Sequence, residues 1–165
     1  MTATQVGRAL LRRGETVAVV ETSAGGLIVA TLLGIPGASA WVRGGIVPYS
    51  PAARRALLGL DELGPGGAVS EEAALRLAEA TRQILDADWA IAESGIAGPQ
   101  TGRRSAKPAG LTCLAVVGPT FRRSATVQLS TRGRRATMRG FAREAIRLLA
   151  EVLEDRETLA TKQGS

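Results

Sequence analysis

Histidine is absent from this 165-residue sequence, and cysteine occurs only once, at Cys113. The absence of histidine excludes Ser-His and Cys-His catalytic pairs and every histidine metal site. A single cysteine cannot form an internal disulfide or a cysteine-based zinc site, and its apolar surroundings, Leu111 to Val117, predict a small buried residue. Any nucleophilic chemistry must therefore use a hydroxyl that an amine, a carboxylate or a helix terminus activates.

Aromatic residues and long apolar runs are also scarce. Phe, Trp and Tyr make up 3% of the chain, which is too little to build stacking platforms for single-stranded nucleic acid. No apolar run reaches about 18 residues, so we expect neither a membrane span nor a membrane partner. The first residues lack a basic flank followed by an apolar run, so we predict no secretory signal and expect a cytoplasmic protein.

The charge balance is basic, with a formal net charge of +6 that comes almost entirely from arginine. A positive balance can serve a polyanionic partner, but the arginines occur as pairs scattered along the chain. Charge alone gives association without specificity, so we do not expect nucleic acid to be the primary partner.

Strand patterns and helix patterns alternate along the chain before a strand pair and a long helix. The hydrophobic content of 45% is enough for one globular domain over residues 1–155, and we expect residues 156–165 to form a flexible tail. This order predicts an α/β fold, a three-layer α/β/α sandwich with a mixed β-sheet. We predict strands over 16–21, 41–50, 88–93, 110–117 and 123–130, and helices over 3–13, 25–33, 51–58, 70–84 and through the apolar stripe 138–153.

The segment 17–27, VAVVETSAGGL, carries the strongest chemical signal. A run of β-prone residues leads into Glu21, then the hydroxyls of Thr22 and Ser23, then Gly25 and Gly26, and then an apolar helical run. The unpaired N–H groups of a helix start favour an anion or a developing oxyanion. Hydroxyls and glycines at such a junction are equally typical of a plain N-cap and a tight turn.

A second segment, 89–99, repeats this arrangement. Its strand pattern ends in a glycine-rich loop that contains Ser94, Gly95 and Gly98. Two such loops at the ends of two strands suggest one pocket between them.

Six motifs together resemble the CinA C-terminal domain family, whose characterised members are nicotinamide-nucleotide amidases. The motifs occur in the family's order and cover nearly the whole chain, and the family also includes longer proteins linked to competence and DNA damage. The motifs are Glu21-Thr-Ser-Ala-Gly-Gly26, Gly37-Ala-Ser-Ala-Trp41, Gly44-Gly-Ile-Val-Pro-Tyr-Ser50, Gly67-Ala-Val-Ser-Glu71, Ser94-Gly-Ile-Ala-Gly-Pro99 and Lys107-Pro-Ala-Gly110.

The resemblance implies hydrolysis of the carboxamide of nicotinamide mononucleotide, which gives nicotinic acid mononucleotide and ammonia in pyridine-nucleotide salvage. It also implies a homodimer and an enzyme that needs no cofactor. In the family pattern a serine after the glutamate of the first motif is the nucleophile, and a lysine shortly after the Tyr-Ser pair is its base. A lysine with a depressed pKa can take the hydroxyl proton, and the helix start and glycine amides would bind the tetrahedral oxyanion.

This chain departs from the family pattern at both positions of that dyad. Thr22 stands in the place of the serine, which keeps a hydroxyl but adds a methyl group that restricts χ1. Arg54 stands in the place of the lysine, and a guanidinium stays protonated and cannot act as a general base. Losing a general base typically costs ~10²–10⁴-fold in rate, so the change at Arg54 is the more serious one.

Three other residues could replace the missing dyad chemistry. Lys107 could reach the pocket as a base, although it equally suits a solvated or phosphate-facing position. Glu21 could act as a base, or order backbone amides or an arginine. Ser23 could be the nucleophile in place of Thr22, although adjacent side chains leave such a junction in different directions.

The binding positions keep the family pattern better than the catalytic ones. By resemblance, Ser39, Tyr49 and Ser94 line the nucleotide pocket, and Arg135 could hold the phosphate bidentately. A catalytically silent protein that binds a nucleotide or a partner is therefore the alternative to an amidase. The expected catalytic residues are Thr22, Ser23, Arg54 and Tyr49, and the expected substrate-binding residues are Glu21, Gly25, Gly26, Ser39, Gly45, Ser94, Gly95, Gly98, Lys107 and Arg135, with no metal.

Overall fold

The computed structural model describes residues 2–99, 105–130 and 133–163. The helices are α1 (Ala3–Arg13), α2 (Leu27–Leu33), α3 (Pro51–Leu58), α4 (Glu71–Ile84) and α5 (Arg134–Gln163), with a short 3₁₀ helix at Ala38–Ala40. The strands are β1 (Val17–Glu21), β2 (Val42–Ile46), β3 (Trp89–Gly95), β4 (Leu111–Val117) and β5 (Arg122–Gln128). No helix in the described ranges combines the length and the apolar character that a membrane crossing requires.

The five strands form one sheet in the order β2-β1-β3-β4-β5. β1 lies between β2 and β3 and is parallel to both, whereas β4 and β5 continue the sheet antiparallel. Helices α1, α2 and α5 cover one face, and α4, with α3 beside it, covers the other. The predicted three-layer α/β/α sandwich with a mixed sheet is therefore confirmed.

The two faces of the sheet differ in the size of their side chains. The face under α1, α2 and α5 is built from large residues of the strands, among them Val19, Trp89, Ile91 and Leu114. The face under α4 is built mainly from alanines, which α4 meets with alanines of its own. These buried alanines are Ala18, Ala90, Ala92 and Ala115 on the strands and Ala73, Ala74 and Ala78 on the helix.

Helix boundaries follow the capping residues in the sequence. The Ser50 hydroxyl accepts a hydrogen bond from Ala53 N, Pro51 opens α3, and Gly59 ends it with φ 66°. The Ser70 hydroxyl accepts from Ala73 N at 3.1 Å and begins α4 as predicted. These serine hydroxyls accept hydrogen bonds from N–H groups that have no partner within the helix. For this reason serine in the sequence predicts the start of both helices.

Several boundaries differ from those predicted, and among the strands β3 extends to Gly95 and β5 ends at Gln128. β2 ends at Ile46, because the segment 47–50 turns away from the sheet and Tyr49 N donates to Val47 O. α2 begins at Leu27, because Gly25 and Gly26 form the preceding turn with φ of 67° and 99°.

The C-terminal segment 156–165, which we expected to be a flexible tail, overlaps α5, which continues to Gln163. The expected flexibility of this segment stays a prediction. Residues 164 and 165 lie outside the described residues, as do residues 100–104 of the glycine-rich loop that follows β3.

Candidate functional site

A cavity of about 530 Å³ lies where β1 and β3 end. The two strands are parallel neighbours with Glu21 and Glu93 in register, so the segments that follow them leave the sheet at the same edge. The turn 22–26, the loop after β3 and the segment 59–70 before α4 surround the cavity, together with the start of α3 and Arg134 of α5. Its volume is that of a pocket for one small molecule.

Thr22 lies at the cavity with its hydroxyl among neutral groups. Its Oγ1 is 3.4 Å from the backbone oxygen of Glu93 and 3.4 Å from Ser94 Oγ. Ser94 Oγ in turn donates to Ala68 O at 2.6 Å. Within the described ranges, no amine or carboxylate contacts the Thr22 hydroxyl, so nothing beside it there can accept its proton readily.

Ser23 also lines the cavity, but its hydroxyl points to a different partner. Ser23 Oγ donates a short hydrogen bond to Glu93 Oε1. The side chain is 5% exposed, so this contact is shielded from bulk water. The adjacent hydroxyls of Thr22 and Ser23 therefore leave the turn in different directions, and the one at Ser23 meets a carboxylate.

Glu93 is fully buried at the end of β3 and is surrounded by donors. Its Oε2 accepts from Ala24 N at 2.8 Å and from Thr22 N at 3.2 Å, and its Oε1 accepts from Thr112 Oγ1 at 2.9 Å and from Ser23. Burial raises the pKa of the Glu93 carboxyl, the hydrogen bonds oppose this rise, and the charge of Glu21 adds to it.

Sequence analysis did not identify Glu93 as a site residue. A signal was present, because a glutamate that directly follows the apolar run Trp89–Ala92 must be buried with partners or lie at a strand end. Its equivalence to Glu21 on the neighbouring strand also follows once β1 and β3 are aligned as parallel neighbours.

Glu21 has a role in the backbone of α2. Its Oε2 accepts from Ile28 N and its Oε1 accepts from Val29 N, both at 3.0 Å. The carboxylate thus supplies acceptors for the first turn of α2. Of the roles considered for Glu21 from the sequence, this contact corresponds to the ordering of backbone amides. Glu21 is not among the cavity-lining residues.

Arg54 and Lys107 both donate to carbonyl groups of the segment 59–70. Arg54 lines the cavity, with Nε 3.3 Å from Leu60 O and Nη2 3.2 Å from Asp61 O. Lys107 Nζ donates to Gly66 O at 3.0 Å and, by a shorter bond, to Val69 O. Both cations therefore stabilise one wall of the cavity.

The solvent-facing side of the cavity carries Tyr49 and Arg134. Tyr49 is 66% exposed, and its hydroxyl lies 3.1 Å from Arg134 Nη2. Arg134 Nη1 donates to Gly98 O at 2.8 Å. Arg134, and not the predicted Arg135, is the arginine at the start of α5 that lines the cavity.

The structure brings half of the predicted site residues together. Ser39 lies exposed in the 3₁₀ helix, and Gly45 faces α2, where an added Cβ would lie 2.8 Å from Val29 Cβ. The catalytic and binding roles of all of these residues stay predictions. Those that line the cavity are Thr22, Ser23, Tyr49, Arg54, Ser94, Gly95 and Gly98, and those that do not are Glu21, Gly25, Gly26, Ser39, Gly45, Lys107 and Arg135.

Comparison with protein families and curated proteins gives consistent matches. The family model described as the CinA C-terminal domain matches residues 1–153. A CinA-like protein of Prochlorococcus marinus is 46% identical over 125 residues, which is 74% of this chain and 29% of that protein. A CinA-like protein of Desulfosudis oleivorans is 37% identical over 151 residues, 90% of this chain and 36% of that protein. The chain thus spans about a third of the length of these curated relatives.

Solved structures match over almost their whole length. A CinA superfamily protein from Klebsiella pneumoniae superposes with a TM-score of 0.83 at 28% identity and covers 93% of this chain and 96% of that one. A competence/damage inducible protein, CihA, from Agrobacterium tumefaciens superposes with a TM-score of 0.78 at 32% identity, covering 92% and 95%. The mixed sheet and its helices are therefore an arrangement that occurs in solved proteins.

Proposed function

Since the chain belongs to the CinA C-terminal domain family, we propose that its cavity binds nicotinamide mononucleotide and slowly hydrolyses the carboxamide. The products would be nicotinic acid mononucleotide and ammonia. The observation that carries the proposal is that the hydroxyls of Thr22, Ser23 and Ser94 line one cavity with Arg134. Hydrolysis of an amide through a hydroxyl is the chemistry that a chain without histidine and with a single buried cysteine can offer.

The charge around the cavity suits a mononucleotide. Arg134 places a guanidinium beside the exposed hydroxyl of Tyr49, and a guanidinium pairs well with a phosphate. The hydroxyls of Thr22 and Ser94 lie at the strand ends, where they can meet the polar carboxamide of a pyridine ring. The cavity volume of about 530 Å³ is in the range of pockets for ligands of this size.

Slow turnover is expected because the position of the family's base holds Arg54. A guanidinium is not a general base, and that of Arg54 donates to Leu60 O and Asp61 O. A rate ~10²–10⁴-fold below that of a member with a serine and lysine pair is the typical consequence of losing a general base.

Binding without hydrolysis is the second candidate function. It is favoured by the contacts of Thr22, whose hydroxyl meets a carbonyl oxygen and another hydroxyl. In this alternative the protein would use the nucleotide as a signal or as a bridge to a partner, and the cavity would keep its ligand unchanged.

One experiment separates the two candidates. Ammonia release from nicotinamide mononucleotide is measured with the purified protein and with the Thr22→Val/Ser23→Ala variant as the blank, and calorimetry with the same nucleotide runs in parallel. Release above the blank supports the amidase, and binding without release supports the second candidate. Neither binding nor release would contradict both.

The assembly of the protein is inferred from the family resemblance alone. We propose a cytoplasmic homodimer without a cofactor. Light scattering on the purified protein tests the dimer, since a mass near the 17.1 kDa of one chain would contradict it.

A further inference from the structure

Ser23 and Glu93 form a buried pair that the family's dyad does not use. Ser23 Oγ donates to Glu93 Oε1, and Ser23 is the one of the two that lines the cavity. The carboxylate of Glu93 is fully buried and is not among the cavity-lining residues, so its hydrogen bond to Ser23 connects it to the cavity. This is the arrangement of a nucleophile with a base on its far side.

The contacts favour Ser23 over Thr22 as the reacting hydroxyl. The Thr22 hydroxyl lies against a backbone carbonyl and the Ser94 hydroxyl, and neither group takes up a proton at physiological pH. The Ser23 hydroxyl lies against the carboxylate of Glu93, a group that can accept a proton as a general base. Serine also lacks the extra methyl group that crowds attack by threonine.

The surroundings of Glu93 keep its carboxylate fixed and make it a better base than an exposed one. Ala24 N donates to Oε2 and Thr112 Oγ1 donates to Oε1, so both oxygens of the carboxylate are held while Oε1 accepts from Ser23. Burial raises the pKa of the carboxyl, which brings it closer to the neutral range in which a general base works best.

We propose that Ser23 is the nucleophile of this cavity and that Glu93 is its general base. As Ser23 Oγ attacks the carboxamide carbon, its proton passes to Glu93 Oε1. The tetrahedral intermediate collapses, the C–N bond breaks, and the proton moves from Glu93 to the leaving nitrogen, which departs as ammonia. Water then attacks the Ser23 ester, gives one proton to Glu93, and releases the carboxylic acid as Ser23 regains that proton.

This pair makes the change at position 54 understandable. Catalysis by Ser23 and Glu93 needs no amine, so Arg54 is free to hold the carbonyls of Leu60 and Asp61. The inference rests on the proposed function for its substrate, but the reactivity of Ser23 does not depend on which amide enters the cavity.

The first test is therefore a labelling experiment without nucleotide. The full chain is incubated with p-nitrophenyl acetate, and the acetylated residues are identified by peptide mass mapping. We expect an adduct on Ser23 that is lost in Ser23→Ala and formed about 10-fold or more slowly in Glu93→Gln.

The chain supplies its own matched control. Ser124 Oγ donates to Glu71 Oε2, which makes a second serine and glutamate pair outside the cavity. Ser124 should stay unlabelled in the same digest, and Glu71→Gln should leave labelling of Ser23 unchanged. If Glu93→Gln does not fold, as judged by circular dichroism, Glu93→Asp decides, because it keeps the charge and withdraws it from Ser23.

The outcomes separate this inference from the proposed function. An adduct on Thr22, labelling of Ser23 at the same rate in the Glu93 variant, or no adduct on any hydroxyl would overturn the pair. Labelled Ser23 without ammonia release from nicotinamide mononucleotide keeps the pair and rejects that substrate. Ammonia release that persists in Ser23→Ala rejects the pair and keeps the amidase.

Discussion

Side chains hold two walls of the cavity in place. One wall is held through its backbone N–H groups and the other through its backbone carbonyl groups. The first wall is the turn 22–26, whose N–H groups at Thr22 and Ala24 donate to the carboxylate of Glu93. The second wall is the segment 59–70, whose carbonyl groups accept from side chains of three other elements of the chain. These contacts are Arg54 to Leu60 and Asp61, Lys107 to Gly66 and Val69, and Ser94 to Ala68.

The difference in burial shows which wall carries more of the stability. Glu93 is fully buried, so a donor that loses it cannot turn to water, and such a loss costs about 1–3 kcal/mol per group. The contacts of Arg54 to Asp61 and of Lys107 to Gly66 are exposed, so water can replace them. We therefore expect the first wall to be rigid and sensitive to mutation, and the second to be adjustable.

Removing Glu93, whose carboxylate holds the first wall, should have the largest effect on stability. Glu93→Ala leaves the donors at Ala24 and Thr112 without an acceptor and opens a void, so we expect a loss of about 3 kcal/mol in the free energy of unfolding. Because burial raises the folded-state pKa of Glu93, its contribution is complete below the ordinary value of 4.5 and declines as the pH rises through the raised pKa.

Urea denaturation of the parent and of Glu93→Ala at pH 4 and pH 8 measures both claims. A loss that is greater at pH 8 than at pH 4 would contradict the proposed origin of the effect. The parent at both pH values is the control for general acid destabilisation.

Restoring the family's dyad should have the next largest effect. Thr22→Ser/Arg54→Lys supplies an unbranched hydroxyl and an amine that can lose its proton, so we expect ammonia release to rise about 10-fold or more, equivalent to about 1.4 kcal/mol. The assay is ammonia release under saturating nicotinamide mononucleotide. Arg54→Lys alone is the comparison. An unchanged rate in the double variant would show that the lysine amine does not activate the hydroxyl at position 22.

Loosening the second wall should cost less. Arg54→Met removes the donors to Leu60 O and Asp61 O, and we expect a loss of about 1 kcal/mol in the free energy of unfolding and faster proteolysis within 59–70. The adjacent Arg55 is a matched control, because among the described residues its side chain bonds the exposed carboxylate of Asp61 and no backbone carbonyl. Arg55→Met should change neither quantity, and equal effects of the two variants would refute a special role for Arg54.

Removing the carboxylate of Glu71, which lies outside both walls, should have the smallest effect on stability. Its pH dependence should be opposite to that of Glu93. Hydrogen bonds from Ser124 and Thr126 lower the pKa of Glu71, so its contribution to stability is present above the ordinary value of 4.5 and is lost as the pH falls through the lowered pKa. Glu71→Gln should cost less than about 1 kcal/mol at pH 7. Urea midpoints should show this gap narrow as the pH falls below 4.5, and a gap that widens there would contradict the assignment.

The first wall could be predicted from the sequence better than the second. The ends of adjacent parallel strands meet at one edge, so the meeting of Thr22 with Ser94 follows from the strand patterns alone. The contacts of Arg54 and Lys107 could not be predicted, because their partners are backbone carbonyls, which every residue carries. No residue type in 59–70 indicates that its oxygens will be held by distant cations.

The same reasoning explains which fold predictions succeeded. Ser50, Pro51 and Ser70 carry helix-start chemistry in their own side chains, so α3 and α4 begin where predicted. The end of β2 had a signal that the sequence analysis missed, because Pro48 carries no N–H with which to continue the ladder of a strand. Arg134 rather than Arg135 faces the cavity because of the rotation of α5, which depends on the packing of the whole helix.

The alanines between α4 and the sheet make the width of the cavity depend on residues that do not touch it. Leu77 of α4 lines the cavity, while Ala74 and Ala78 of the same helix lie against the sheet. A larger side chain at Ala90 or Ala92 would lift α4 off the strands at a cost of about 1–3 kcal/mol and carry Leu77 outward with it. Related chains could thus bind ligands of different width by replacing one of these alanines with a branched residue, while every residue that lines the cavity stays unchanged.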